Sequence, residues 1–525
     1  MRRLIRSALN TGAAFVGLGL LTAPALSAQS FTTNDPVLRD LWRLGMEQSQ
    51  VYTLAQALTD SVGPRLTASP GQDAAHDWAV RTYASMGIDA RSEQYGTYLG
   101  WRRGISHVDL MAPRERALEG MMLAWSGDTD GRPVEGEVVV MPLFRNSGEV
   151  ERWLNTVAGK FVAISYAEPT CRADDQWREY SRPGDFEAMN QTRQAERSAW
   201  NQARQAAGPG QADIHEKLEA AGALGIMESR WSNVSGTNKV FRAYTQNIPA
   251  MDISCEDYGL LFRLAANGQA PRIRVSADSE FLGEVPVFNT VATIPGSELP
   301  NEYIVLSAHF DSWDGGSGAT DNATGTVTMM EAMRLLKQAY PNPRRTIIAG
   351  HWSGEEQGLN GSRSFAMDHP EIIEGLQVLL NQDNGTGRVQ NISMQGLQNA
   401  GASFAKWLAQ VPSEISGQID LQIPGSPGSG GSDYAAFICY GAPAFSLSSL
   451  SWGYGAYTWH TQRDTFDKIV IGEVSNNATL TAMLAYLASE DPDRVSREQR
   501  PVLPGRNGQP GEWPTCRDGT RSYGN

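Results

Sequence analysis

SAHFDSWDGGSGATD, residues 307–321, is the stretch whose reading decides the fold. It closes an apolar run, Ile304-Val305-Leu306, and turns at once into His309-Phe310-Asp311. A glycine-rich loop follows, then Asp321-Asn322, then a segment with helical periodicity. An imidazole and two carboxylates set where a strand ends and a helix begins suit the crevice at the carboxyl edge of an open α/β sheet. The stretch therefore reads as half of a two-metal hydrolytic site, with later loops expected to supply the rest.

Outward from it the chain keeps one rhythm. Strands are predicted at 287–294, 303–307, 346–351, 377–380 and 444–447, and helices at 324–337, 362–368, 402–410 and 473–488. Such alternation implies an α/β fold with a mostly parallel, helix-covered sheet. Upstream, residues 30–60 read as helical. Ala75, Trp78, Ala79, Tyr83 and Met86 fall on one helix face, and 90–111 reads as strand. Between 116 and 284 the pattern changes. Short strands such as 137–141 and 160–165 alternate with turns and a few helices, and no catalytic constellation stands out. The segment 185–207, rich in Gln, Arg and Glu, reads as a solvated arm or lid. Past 490 the chain is rich in Pro, Gly and Arg and reads as an extended tail.

At 525 residues the chain exceeds one core, so several domains are expected. A formal charge of −14 with no basic stripe excludes a nucleic-acid partner or an anionic membrane surface. Arg2, Arg3 and Arg6, the apolar residues 13–21, and the small residues Ala23 to Ala28 read as a secretory signal cleaved between Ala25 and Ala28. A membrane anchor is the alternative, but the apolar run falls well short of about 20 residues. The expected division is 1–28 signal, 29–115 and 285–490 catalytic unit, 116–284 insert, and 491–525 tail. The four cysteines form no C-x-x-C pair, which disfavours thiolate zinc. Cys439, inside Phe437-Ile438-Cys439-Tyr440, reads as a packed residue, and one disulfide is compatible with export.

Singly, the candidate residues have ordinary readings. His309 with Asp311 could be a structural pair, Asp321 a helix N-cap, Glu355-Glu356 first-turn charge, Asp383 a turn residue and His460 a core histidine. Together they change the argument, because each is expected just past a strand of one sheet, and two of the chain's seven histidines are among them. Carboxylates and imidazoles without thiolates suit paired zinc or similar ions. Asp321 as a bridge, His309 with Asp383 on one ion and Glu356 with His460 on the other satisfies the ligand count. Glu355, the neighbour of a ligand, is then placed to move the proton of the attacking water. Asp311 would accept from the free ring nitrogen of His309, and Asp464 would do likewise near His460.

The constellation resembles the co-catalytic zinc exopeptidases of the aminopeptidase and plasma glutamate carboxypeptidase family. SAHFDSWDGGSGATDNATG, WSGEEQGLNGS, NQDNG, GSDYAAF and WHTQRDT carry the likeness, in family order, with GPRLTASPG near Arg65. The resemblance implies metal ligands His309, Asp321, Glu356, Asp383 and His460, a general base Glu355, two zinc ions, and a protease-associated domain at 116–284. Gly387, Arg388 and Arg463 depart from the family pattern. The implied activity is hydrolysis at peptide ends, as aminopeptidase or dipeptidase, in the periplasm or outside the cell, by a monomer or homodimer. Two alternatives stand beside it. A single-zinc glutaminyl cyclase is disfavoured by retention of His309 and Asp383, and an inactive binding homologue by the absence of any lost ligand. A terminal carboxylate would call for a forked Arg, with Arg463 and Arg65 as candidates against a structural reading of both. The loop 425–432, with Asp433 and Tyr434, either borders the substrate or is a turn.

Overall fold

A single 14-stranded sheet runs through the molecule. The computed structural model describes residues 33–503 and 510–523, and the predicted signal at 1–28 lies outside them. From one edge the order is Asp420–Gln422, Val389–Ser393, Ala444–Ser449, Leu376–Asn381, Leu299–His309, Arg345–Trp352 and Arg272–Ile294. The Leu299–His309 strand is parallel to both its neighbours, with Trp352 opposite His309 and Asn381 opposite Ser307. Three parallel strands thus end level at one rim. Arg345–Trp352 and Leu376–Asn381 are buried throughout, as is 304–309, as expected of strands covered on both faces.

Two helices show why the covering is tight. Thr324–Ala339 is buried over its first thirteen residues, from Thr324 to Leu336, and lies against Ile471–Glu490. A helix hydrophobic on most sides belongs inside a large fold. Its two buried charges neutralise each other, since Arg334 Nε donates to Glu331 Oε2 at 2.7 Å.

The region predicted as strands near 90–111 is one long strand, Asp89–Ala112, that pairs antiparallel with Arg272–Ile294 along most of its length. This ribbon ties two bodies of core together. One end packs in the cluster around Leu306 and Leu380, and the other joins Trp101, Val108, Ile273 and Val275. Beyond it the sheet continues through Val134–Val140, Lys160–Ala163, Gly225–Glu228, Ala250–Ile253 and Gly120–Met122. Helices Ser147–Leu154, Asp185–Ala207, Gln211–Ala220 and Cys255–Ala266 accompany these strands, so residues 116–284, read from the sequence as an insert, are helical as well as β.

Three expectations change. The segment 185–207 is a helix, but not a solvated arm. Met189, Arg193, Trp200, Ala203 and Ala207 form a buried stripe at helical spacing that average polarity conceals. Arg193 is buried because it pairs with Glu168 and Asp174, each at 2.8 Å. Cys439 is not a merely packed thiol. It is bonded to Cys516, and Cys171 to Cys255, so two disulfides form where one was considered. The region read as a tail is stitched down. Besides Cys516, Thr97 N donates to Arg521 O at 2.8 Å and Arg521 pairs with Asp368 at 2.7 Å. Among the described residues no helix is long and apolar enough to cross a membrane.

Candidate metal centre

His309 is the last residue of its strand, fully buried, with its ring turned into the rim. Its Nε2 lies 3.3 Å from Asp321 Oδ1 and 3.2 Å from Asp383 Oδ1. Asp383 follows the Leu376–Asn381 strand, and Asp321 sits in the short helical turn Ala319–Ala323 ahead of the long buried helix. On the far side of Asp321, His460 Nε2 is 3.3 Å from Asp321 Oδ2 and 3.0 Å from Glu356 Oε2. Ligand atoms of His309, Asp321 and Asp383 therefore form one cluster, those of Asp321, Glu356 and His460 a second, and Glu355 groups with His309 and Glu356. All seven predicted site residues come together at one rim, and Asp321 faces both clusters.

Asp311 does not act as the sequence suggests. The His309 Nδ1 is 3.0 Å from the Asp311 backbone carbonyl and 3.6 Å from its carboxylate, so the carbonyl orients the ring. The carboxylate instead accepts from the backbone N–H groups of Glu355 and Glu356 and from Thr67 Oγ1, each at 3.2 Å. It fixes the turn that carries both glutamates. Asp464 likewise does not touch the His460 ring. It is buried and accepts from Thr320 N at 2.8 Å and Asp321 N at 3.0 Å, holding the backbone of the shared carboxylate.

Of the two candidate arginines, Arg65 is not free to hold a substrate carboxylate. Arg65 is fully buried and donates to the backbone carbonyls of Phe310, Gly63, Ser317 and Gly318. Arg463 pairs with Glu119 at 3.2 Å. Asp433 is buried beside the cluster, and both its oxygens lack a hydrogen-bond partner.

Several contributors escaped the sequence reading. Trp313 donates from Nε1 to Glu356 Oε2 at 2.9 Å and tilts against the His460 ring. Phe241, from the insert, sets its edge on the same ring at 4.9 Å. The adjacency of Trp313 to Asp311 in HFDSWD was a signal for the first, whereas nothing local marks Phe241.

The electrostatics ask for a cation. Burial raises the Glu356 carboxyl well above its ordinary value, and Asp321, Asp311 and Asp383 add to that against His309. Glu355 is raised in the same way by burial, opposed by His309 and reinforced by Asp383, Glu356 and Asp433. Burial lowers His460 to about 4, so it is a neutral imidazole at neutral pH. Among the described residues, Asp321, Glu356 and Asp383 have ion-pair partners only in His309 and His460. Among the described residues, Glu356 Oε1 and His460 Nδ1 are buried without a hydrogen-bond partner. Buried polar atoms left open in a cluster of oxygen and nitrogen donors fit divalent ions. All four cysteines are spent in disulfides, which leaves an O/N donor set.

The fold is that of solved metallopeptidases. The crystal structure of a Peptidase M28 precursor from Shewanella amazonensis superposes with a TM-score of 0.64 at 23% identity, over 89% of this chain and 98% of that one. BSAP, a zinc aminopeptidase from Bacillus subtilis, gives 0.55 at 16% identity over 85% and 96%. Sequence relatives include carboxypeptidase Q of Homo sapiens, 24% identical over 456 residues, with 86% of this chain and 88% of the relative covered. The Xenopus laevis carboxypeptidase Q is 26% identical, with 81% and 83% covered. Residues 289–485, which hold every candidate ligand, match the model of Peptidase family M28. Over those residues the chain is similar to Peptidase family M28.

Proposed function

We propose that the protein is an exported exopeptidase that uses two divalent ions, zinc by its donor set, to hydrolyse the peptide bond at a chain end. The observation that carries this reading is that Asp321 is common to the His309–Asp383 cluster and the Glu356–His460 cluster. A shared carboxylate with two further ligands on each side is what a two-ion hydrolase requires. His309, Asp321, Asp383, Glu356 and His460 would hold the ions. When bound, such a pair polarises the scissile carbonyl and acidifies the attacking water.

The remaining work falls to the chain. Glu355 takes the proton that the water loses on attack and returns it to the leaving amine. Burial raises its carboxyl well above the ordinary value, which suits it to hold a proton. Asp311 keeps Glu355 and Glu356 side by side through their backbone N–H groups, so that one binds while the other shuttles. With Arg65 consumed by backbone carbonyls, capture of a free α-ammonium by the surplus carboxylates is favoured over capture of a terminal carboxylate. That favours an aminopeptidase over a dipeptidase, acting on peptides as monomer or homodimer. We assign residues 116–284 to a protease-associated insert. Two disulfides support export to the periplasm or the exterior.

The test is Glu355→Ala with zinc loaded. Both ions are retained by elemental analysis while turnover falls about 10²–10⁴-fold; normal turnover removes Glu355 from its role. A screen of free-amine, N-blocked and C-amidated dipeptides then fixes polarity. Free-amine substrates should be cleaved whether or not they are amidated, and cleavage confined to free C-termini reverses the assignment.

A further inference from the structure

His460 reaches the rim from a loop beyond the Ala444–Ser449 strand, and its backbone φ is 59°. Residues that carry a Cβ adopt this left-handed region uncommonly, and here hydrogen bonds from outside the loop fix it. The surroundings are residues 236–241 of the insert. Val240 N donates to His460 O at 2.8 Å, Lys239 and Thr461 form an antiparallel bridge, and Gln462 N donates to Asn238 O at 3.2 Å. The two side chains close the pairing. Asn238 N donates to Gln462 Oε1 at 2.6 Å, and Gln462 Nε2 donates to Asn238 Oδ1 at 3.1 Å and to Gly236 O at 3.0 Å.

This clasp is itself anchored in the core of the insert. Asn238 is buried, and its Nδ2 donates to the backbone carbonyl and the carboxylate of Asp252, at 2.9 and 3.0 Å. Asp252 is buried on the Ala250–Ile253 strand, and its other oxygen accepts from Arg230 N at 2.9 Å. A continuous set of hydrogen bonds therefore runs from a strand of the insert to the backbone of a candidate ligand.

We infer that Asn238 and Gln462 are positioning residues for the His460 side of the metal pair, through which the insert completes that half of the site. The inference rests on the metal reading above. It separates the two halves, because His309 and Asp383 are delivered by their own strands and owe nothing to the clasp. Freed from it, the His460 backbone relaxes out of the left-handed region and its ring swings from Glu356 and Asp321.

The test measures zinc by elemental analysis on the full chain after equilibration against graded chelator, for wild type, Asn238→Ala and Gln462→Ala. Each variant should retain one ion at wild-type affinity and bind the other about 10- to 100-fold more weakly, the range for residues that orient a ligand. Activity lost at limiting zinc should return with excess zinc. Gln462 is only half-buried, so its truncation keeps the test alive should Asn238→Ala fail to fold. If Gln462→Ala holds both ions as tightly as wild type, or loses both together, the inference is overturned. A wild type that binds no zinc at all overturns the metal reading instead, which is a distinguishable result.

Discussion

Replacing Arg65 with Met separates a structural anchor from a substrate fork. The guanidinium donates to four carbonyls: Phe310 at 2.7 Å, Gly63 at 3.0 Å, Ser317 at 2.7 Å and Gly318 at 2.9 Å. Three of those residues are buried and Ser317 is partly exposed, so water can replace the donor only at the last. Each buried carbonyl left without a donor costs about 1–3 kcal/mol. Burial lowers the Arg65 pKa to about 10, against the pull of Asp464, Asp311 and Asp321, so the group is charged at neutral pH. Removing a buried charge recovers part of its desolvation, which offsets some of the loss. The net expectation is about 4 kcal/mol, a large share of a typical 5–15 kcal/mol. Arg65→Lys keeps the charge but cannot reach carbonyls spread around a planar fork, and should lose about 2 kcal/mol. Urea unfolding with chelator present reads the loss without a metal contribution. If Arg65→Met leaves the midpoint unchanged and raises KM only for substrates with a free carboxylate, the anchor reading is refuted.

Asp321→Ala should release metal from both positions, and retention of both ions in elemental analysis contradicts the bridge. Glu228→Ala should destabilise the insert by about 3–5 kcal/mol, because it strips His215 of a buried partner at 2.7 Å. Burial alone would raise the Glu228 carboxyl, but Arg230 and the His215 hydrogen bond outweigh it and hold it below its ordinary value. A depressed carboxyl stabilises fully above its unfolded value, about 4.3, and loses that contribution as pH falls through the folded one. The gap between wild type and Glu228→Ala should therefore narrow in acid, and a constant gap across a pH series of urea midpoints argues against the pair.

The strands and helices between 287 and 488 were legible because their signal is local. Ile304 to Ser307, Thr346 to His351 and Gln377 to Leu380 are apolar runs bounded by loops, and the long helices carry their own periodicity. The polar helix 185–207 was legible as a helix but not as a packed one, since its buried stripe is a few residues among many charges. The identities of the ligands were legible for a related reason: imidazole and carboxylate at successive strand ends are a pattern of residue types.

The sequence by itself determined which side chains are offered at the sheet rim and the donor chemistry they share. Only the tertiary structure decided what those side chains do to one another. Asp311 and Asp464 serve backbone N–H groups rather than imidazoles, Arg65 is consumed by carbonyls, Cys439 finds Cys516, and the insert grips His460 through Asn238 and Val240. Every one of these is a contact with a backbone group or a residue distant in the chain. Residue type does not encode the position of a carbonyl, and separation along the chain does not encode proximity, so such pairings exist only once the sheet has brought its segments together.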